Sequence, residues 1–180
     1  MIITNNKQQI EVSNIWIGLF TNESKYGLAA VAKEKIQVKT LVKHRYWVID
    51  IFENKFSYEC IVKNLIEWEN KYNENIIIKN ENEPVTKFLK EELAESYPKN
   101  RIYFRDYEFN PNHSIQALKG LMNDKKINVL KNIQNSFSTA LNLYDVDDNQ
   151  VATINAVMIA LDKSYEKNLV RRAPATSFSE

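Results

Sequence analysis

Ile15-Trp16-Ile17-Gly18-Leu19-Phe20-Thr21 is the stretch that decides the fold. It runs apolar without a break from Ile15 to Phe20 and turns polar at Thr21. A strand with one solvated face alternates apolar and polar residues, so an unbroken run predicts a strand buried on both faces. Outward from it, residues 21–25 are polar and turn-like, and residues 26–32 form a second apolar run. Lys33-Glu34-Lys35 reads as a hairpin turn, and residues 36–42 alternate as a half-exposed strand does. Tyr46-Trp47-Val48-Ile49-Asp50-Ile51-Phe52 is β-branched and aromatic, and either extends that strand or pairs beside it. The chain therefore opens as a β-meander.

The period then changes from two to 3.6. Ser57 is a good N-cap for a helix whose apolar stripe is Tyr58, Ile61, Val62, Leu65, Trp68 and Tyr72. Ile76-Ile77-Ile78 reads as a short buried strand, and Pro84 suits the first turn of a helix that stops before Pro98. Further strands are predicted at 102–104 and 127–130, and helices at 114–123, 133–143 and 150–165. No repeat, low-complexity tract or linker divides the chain. The expectation is one domain over residues 1–173 with a flexible tail at 174–180. A meander followed by alternating helices and strands is an α/β arrangement, a mixed sheet with helices on its faces.

Composition excludes several function classes. The glycines Gly18, Gly27 and Gly120 form no phosphate-cradling loop, so neither ATP hydrolysis nor nicotinamide chemistry is expected and no nucleotide cofactor is implied. Cys60 is the single cysteine, which rules out an internal disulfide and a thiolate metal cluster. No run of about 18 apolar residues occurs, so no membrane span is expected, and the plain reading is cytoplasmic. With 24 basic against 23 acidic residues, the chain has no overall charge suited to nucleic acid, although a local basic patch can hide in a neutral total.

Three antiparallel strands, a helix, a central parallel strand, then a further helix and strand is the RNase H-like order. The stretches 15–31, 46–72, 76–93 and 114–161 make the likeness more specific: over residues 14–165 the chain resembles the nuclease domain of phage large terminases, which cut and package viral DNA. The resemblance implies a mixed sheet of antiparallel and parallel strands flanked by helices, and DNA cleavage by two divalent cations, Mg²⁺ or Mn²⁺. Such hard cations take oxygen ligands, and a pair about 3.5–4 Å apart clamps the attacking and leaving oxygens. The resemblance places those carboxylates on the first strand, after the central strand, and at the start of the closing helix.

The third position is filled by Asp145, Asp147 and Asp148, ahead of Val151-Ala152-Thr153. Acids there also cap a helix and complement its dipole, and both readings stay open. A further acid that the family often places one turn into that helix is missing, since Val151, Ala152 and Asn155 hold those slots. At the second position strict counting gives Lys79, a cation where cations should bind, while Glu81 or Glu83 would serve if the strand ran longer. The first position is the clearest departure: Leu19 and Phe20 cannot ligate a metal. Glu23 would reach only if the turn folded back, and Asp50 on the third strand reads as a solvent-facing acid.

The candidate catalytic and metal-binding set is therefore Glu81, Asp147 and Asp148, around Mg²⁺ or Mn²⁺ if active and no metal otherwise. Lys43, Arg45, Lys125 and Lys126 are the candidate phosphate contacts, in clusters that are more often simply solvated. His44 and His113 read as surface residues, Cys60 as a small buried one, and Trp16, Trp47 and Trp68 as core. The functional expectation is a terminase-like nuclease domain of viral DNA packaging with weakened or lost cleavage. The rivals are a non-enzymatic protein of the same fold that binds a protein partner, such as a phage structural protein or host antagonist, and a RuvC-type junction resolvase.

Overall fold

The apolar run 15–20 lies inside a much longer strand. The computed structural model describes residues 1–38, 41–73, 76–79, 83–96, 102–105, 110–144 and 151–166. Along the chain these form β1 (Ile2–Asn5), β2 (Gln8–Thr21), β3 (Lys25–Val38), β4 (Leu41–Lys55), α1 (Tyr58–Tyr72) and β5 (Ile76–Lys79). They continue as α2 (Glu83–Ser96), β6 (Ile102–Arg105), α3 (Pro111–Asn123), β7 (Ile127–Val129), α4 (Gln134–Tyr144) and α5 (Ala152–Glu166). Among the described residues the sheet runs β6-β5-β2-β3-β4-β7, with β1 paired to β2 off this path. The β2, β3 and β4 strands form an antiparallel meander, while β5, β6 and β7 join in parallel. This is the mixed sheet that the sequence predicts.

Two-faced burial of β2 follows from its alternation. Ile15, Ile17 and Leu19 enter one core with Leu28, Ile61, Leu65, Val85 and Leu89, under α1 and α2. Trp16 enters the other with Ala29, Val31, Val48, Leu118, Phe137 and the residues of α5, and Phe20 packs against that core. Each fully buried Leu, Ile or Phe is worth about 1.5–3 kcal/mol, so the two faces together dominate the stability of the sheet. All three tryptophans are buried, as their core positions suggest.

The α5 helix is the tightest contact with the sheet. Every residue from Val151 to Leu161 is buried. At Gly18 a Cβ would collide with the Ala156 carbonyl oxygen and lie 2.9 Å from Ala160 N. At Gly27 it would collide with the Ala152 carbonyl and lie 2.7 Å from Thr153 N. Both positions therefore need glycine because the backbone of α5 rests on the backbone of β2 and β3.

Several expectations are corrected. Lys33-Glu34-Lys35 is not a turn, since β3 continues to Val38 with these residues opposite Tyr46, Arg45 and His44. The charge of Glu34 is accommodated across the ladder, where it accepts from Trp47 Nε1 at 2.8 Å and lies 3.5 Å from Arg45. Of the stretch expected as one strand, residues 36–38 belong to β3 and residues 41–42 to β4. The N-terminal β1 strand was not expected. It pairs with β2 through Asn6 and Lys7, whose φ values of 49° and 70° both lie in the left-handed region, as a type I′ hairpin turn requires. Ser57 caps α1 as predicted, accepting from Cys60 N at 3.4 Å. Asn110 caps α3 with Pro111 behind it, so that helix starts earlier than residue 114. The 174–180 tail lies outside the described residues.

Candidate functional site

Strands β2, β4 and β5 point the same way, so their C-terminal ends share one end of the sheet. The start of α5 packs at that end, over Gly27. One cross-strand row there reads Phe20, Gly27, Glu53. Phe20 is half-buried and packs against the core beneath α5. Leu19 and Phe20 are the positions near which the family resemblance implies a metal-binding acid, and neither hydrocarbon side chain has a lone pair to offer a hard cation.

The carboxylate present in that row is Glu53. Its Oε2 accepts the Thr153 backbone N–H at 3.2 Å, and its Oε1 lies 3.1 Å from Lys25 Nζ. The first turn of α5 contains no acid of its own. Glu53 thus satisfies a free N–H and complements the positive end of the helix from a strand. Beside it opens a cleft of about 500 Å³ between the end of β4, α4 and the start of α5, lined by Glu53, Thr139, Leu143, Val151 and Thr153 among others.

The remaining acids near the sheet do not complete a metal set. Glu23 sits exposed in the β2–β3 turn, where Asn22 Oδ1 accepts from Ser24 N, Ser24 Oγ and Lys25 N, so this turn does not fold back over Phe20. Asp50 is not the solvent-facing acid expected. Its Oδ2 accepts from Tyr72 OH at 2.8 Å and Lys71 Nζ at 2.6 Å, on the α1 side of the sheet, away from α5. Burial, then the Asp50 charge and hydrogen bond, push the Tyr72 phenol well above its ordinary value. Lys71 lies 4.9 Å from the Tyr72 ring centroid and 5.9 Å from that of Trp68. This cluster ties α1 to β4.

Among the described residues no group of three or more His, Cys, Asp and Glu could hold a metal ion. Glu81, Asp145, Asp147 and Asp148 lie outside the described residues. Lys79 ends β5 and stands opposite Arg105 of β6 in the ladder, which puts two basic positions at the tip of the parallel strands. Among the described residues, Phe20 offers no donor to a cation, and Glu53 in the same row is engaged with an ammonium and a helix end. Cys60 is exposed rather than buried, and His113 is exposed as expected.

The candidate phosphate contacts lie elsewhere. Arg45 sits in β4 eight residues before Glu53, roughly 26 Å away at about 3.3 Å per residue. Tyr46 N–H donates to the Lys126 carbonyl at 2.8 Å, which brings Lys125 and Lys126 beside the stretch that holds Lys43 and Arg45. Lys125 and Lys126 are exposed, and Lys126 Nζ lies 2.8 Å from Asp124.

No family model matches the sequence, and no curated protein matches it. Solved structures do match. The nuclease domain of g2p, the large terminase of bacteriophage SPP1, crystallised with bound Mn, aligns with a TM-score of 0.59 at 18% identity over 86% of this chain and 88% of that one. The large terminase nuclease of thermophilic phage G20c, with bound zinc, aligns with a TM-score of 0.53 at 11% identity over 86% of each chain. Thermus thermophilus RuvC aligns with a TM-score of 0.49 at 18% identity. The fold is RNase H-like, shared with the terminase nuclease domains.

Proposed function

We propose that this chain is a terminase-nuclease-like domain that works on duplex DNA in viral packaging, in the cytoplasm of the host, with metal-dependent cleavage lost or severely weakened. The observation that carries this reading is Phe20. It lies near the C-terminal end of β2 and packs against the core beneath α5, where the resemblance implies a first-strand acid facing the closing helix. In two-metal hydrolysis the protein must fix two cations about 3.5–4 Å apart with carboxylates, so that attacking and leaving oxygens are both neutralised. Replacing a bridging donor with a hydrocarbon removes that geometry. Glu53 does not replace it, because its two oxygens already serve Lys25 and Thr153.

What remains is a stable sheet-and-helix body whose duplex-binding role needs no bond cleavage. Supercoiled plasmid incubated with the protein in about 5 mM Mn²⁺ or Mg²⁺, a concentration well above that needed to fill a carboxylate site, tests the reading. Nicking no faster than buffer is expected. Nicking that disappears in Asp147→Asn and Asp148→Asn variants would overturn it, and would restore those acids and Glu81 as working ligands. Failure to bind any DNA, with a protein recovered as specific partner instead, would favour the non-enzymatic protein-binding alternative.

A further inference from the structure

We propose that the β3–β4 ribbon and the adjoining α3–β7 turn form a duplex-DNA docking surface at the end of the sheet opposite Phe20 and Glu53. Two stretches from different halves of the chain converge there. Residues 33–38 and 41–45 carry four Lys or Arg against one acid, Glu34. The whole chain carries only +1, so everything outside these residues is net negative by two charges. Lys125 and Lys126 then join it through the Tyr46 N–H bond to the Lys126 carbonyl and the Tyr46–Ile127 pairing of β4 with β7. Asp124 and Glu34 are the acids in the patch, and each is engaged, with Lys126 and Arg45 respectively.

The shape supports the charge. The β2–β3 ladder ends at Val12 opposite Glu34, whereas β3 and β4 stay paired out to Val38 and Leu41. The outer four residues of each strand therefore form a two-stranded ribbon, about 13 Å long at ~3.3 Å per residue. Lys35 pairs with His44 and Ile36 with Lys43 along it. Such a ribbon is one of the two elements that the major groove of B-DNA admits, and basic positions along it neutralise phosphates. Lysines on a ribbon also discourage edge-to-edge association. That role, however, does not call for a second basic pair delivered by the α3–β7 turn. A local concentration of positive charge in an otherwise acidic body also orients the domain on a polyanion, ribbon first.

This inference rests on the reading that the domain works on duplex DNA, but not on whether it cuts. Fluorescence anisotropy of a labelled 20-base-pair DNA duplex, in EDTA and across a salt series, separates the two. Three double variants of the full chain are compared: Lys35→Gln with Lys43→Gln, Lys125→Gln with Lys126→Gln, and, on α1 and α2, Lys63→Gln with Lys87→Gln. Each of the first two pairs should weaken binding about tenfold near 0.1 M salt and flatten the slope of log K against log salt by about 1.8, at ~0.9 per phosphate contact. The α1–α2 pair should stay within about twofold, the range expected for charges outside the contact surface. If a double variant loses its melting transition, the single Lys43→Gln and Lys125→Gln variants should each flatten the slope by about 0.9. Duplex binding that responds equally to all three pairs would overturn the docking surface while leaving a DNA role intact. Absence of duplex binding by the wild type would overturn both, and heparin bound as tightly as duplex would overturn the assignment to DNA.

Discussion

Replacing Gly18 with alanine should unfasten α5 from the sheet. The added Cβ would lie 2.9 Å from Ala160 N, against about 3.4 Å where ordinary contact begins, and closer still to the Ala156 carbonyl oxygen. The helix must retreat by roughly 0.5 Å for the first contact and by more for the second. Because α5 is buried from Val151 to Leu161, it cannot tilt into solvent without opening gaps along its length. Gaps of about 0.5–1 Å forfeit a quarter to a half of each contact's dispersion energy. Overpacking itself costs about 1–3 kcal/mol, and the lost contacts bring the expected destabilisation to ~3 kcal/mol or more. For a chain of this size that is a fall in Tm of about 6–12 °C. The assay is paired urea and thermal unfolding of Gly18→Ala beside Gly120→Ala. Gly120 is exposed in α3 with nothing within 4 Å of a built Cβ, and its alanine variant should gain about 0.5–1 kcal/mol. A Gly18→Ala protein as stable as wild type would refute the backbone-on-backbone packing.

Further outcomes follow from the polar contacts. Glu53→Ala should lower stability by about 1 kcal/mol, the value of an N-terminal helix acceptor. Glu53→Gln, which keeps an acceptor for Thr153 N but loses the Lys25 charge pair, should cost less than about 0.5 kcal/mol in urea midpoints. The Tyr72 phenol keeps its proton in the folded state at pH values where the unfolded chain ionises it, so stability is full below about pH 10 and falls as pH rises beyond it. Tyr72→Phe should lose about 1.5 kcal/mol at neutral pH with the Asp50 hydrogen bond, and should show a shallower alkaline decline. Some decline should persist, because burial raises the Tyr26 phenol as well. Cys60 is exposed, so a thiol reagent should titrate one equivalent in native protein within minutes, and protection until denaturant is added would contradict its placement.

The residues that announced the fold were those whose environment is set by local alternation. The two faces of β2 separate by odd and even positions, and the Ser57 cap and the α1 stripe appear where period and capping chemistry put them. Failures arose where tertiary partners overrode a local signal. Charged residues 33–35 look like a turn until Glu34 is seen between Trp47 and Arg45 on the neighbouring strand. The β1–β2 turn lacks the glycine that usually marks a type I′ hairpin, so Asn6-Lys7 concealed it. At the candidate site the apolar character of Phe20 was legible, because it is one residue at a countable place on a strand. The role of Glu53 was not, since its hydrogen bond to Thr153 spans 100 residues of chain. Likewise, the two basic clusters read as separate solvated patches until β7 docks beside β4.

The central claim, that the first-strand donor has been lost and with it a paired-cation centre, is tested most directly by isothermal titration of the full chain with Mn²⁺. The account predicts no saturable heat into the millimolar range and no shift of melting temperature on adding the ion. Saturable uptake of two Mn²⁺ per chain, abolished by Asp147→Asn and Asp148→Asn, would contradict it.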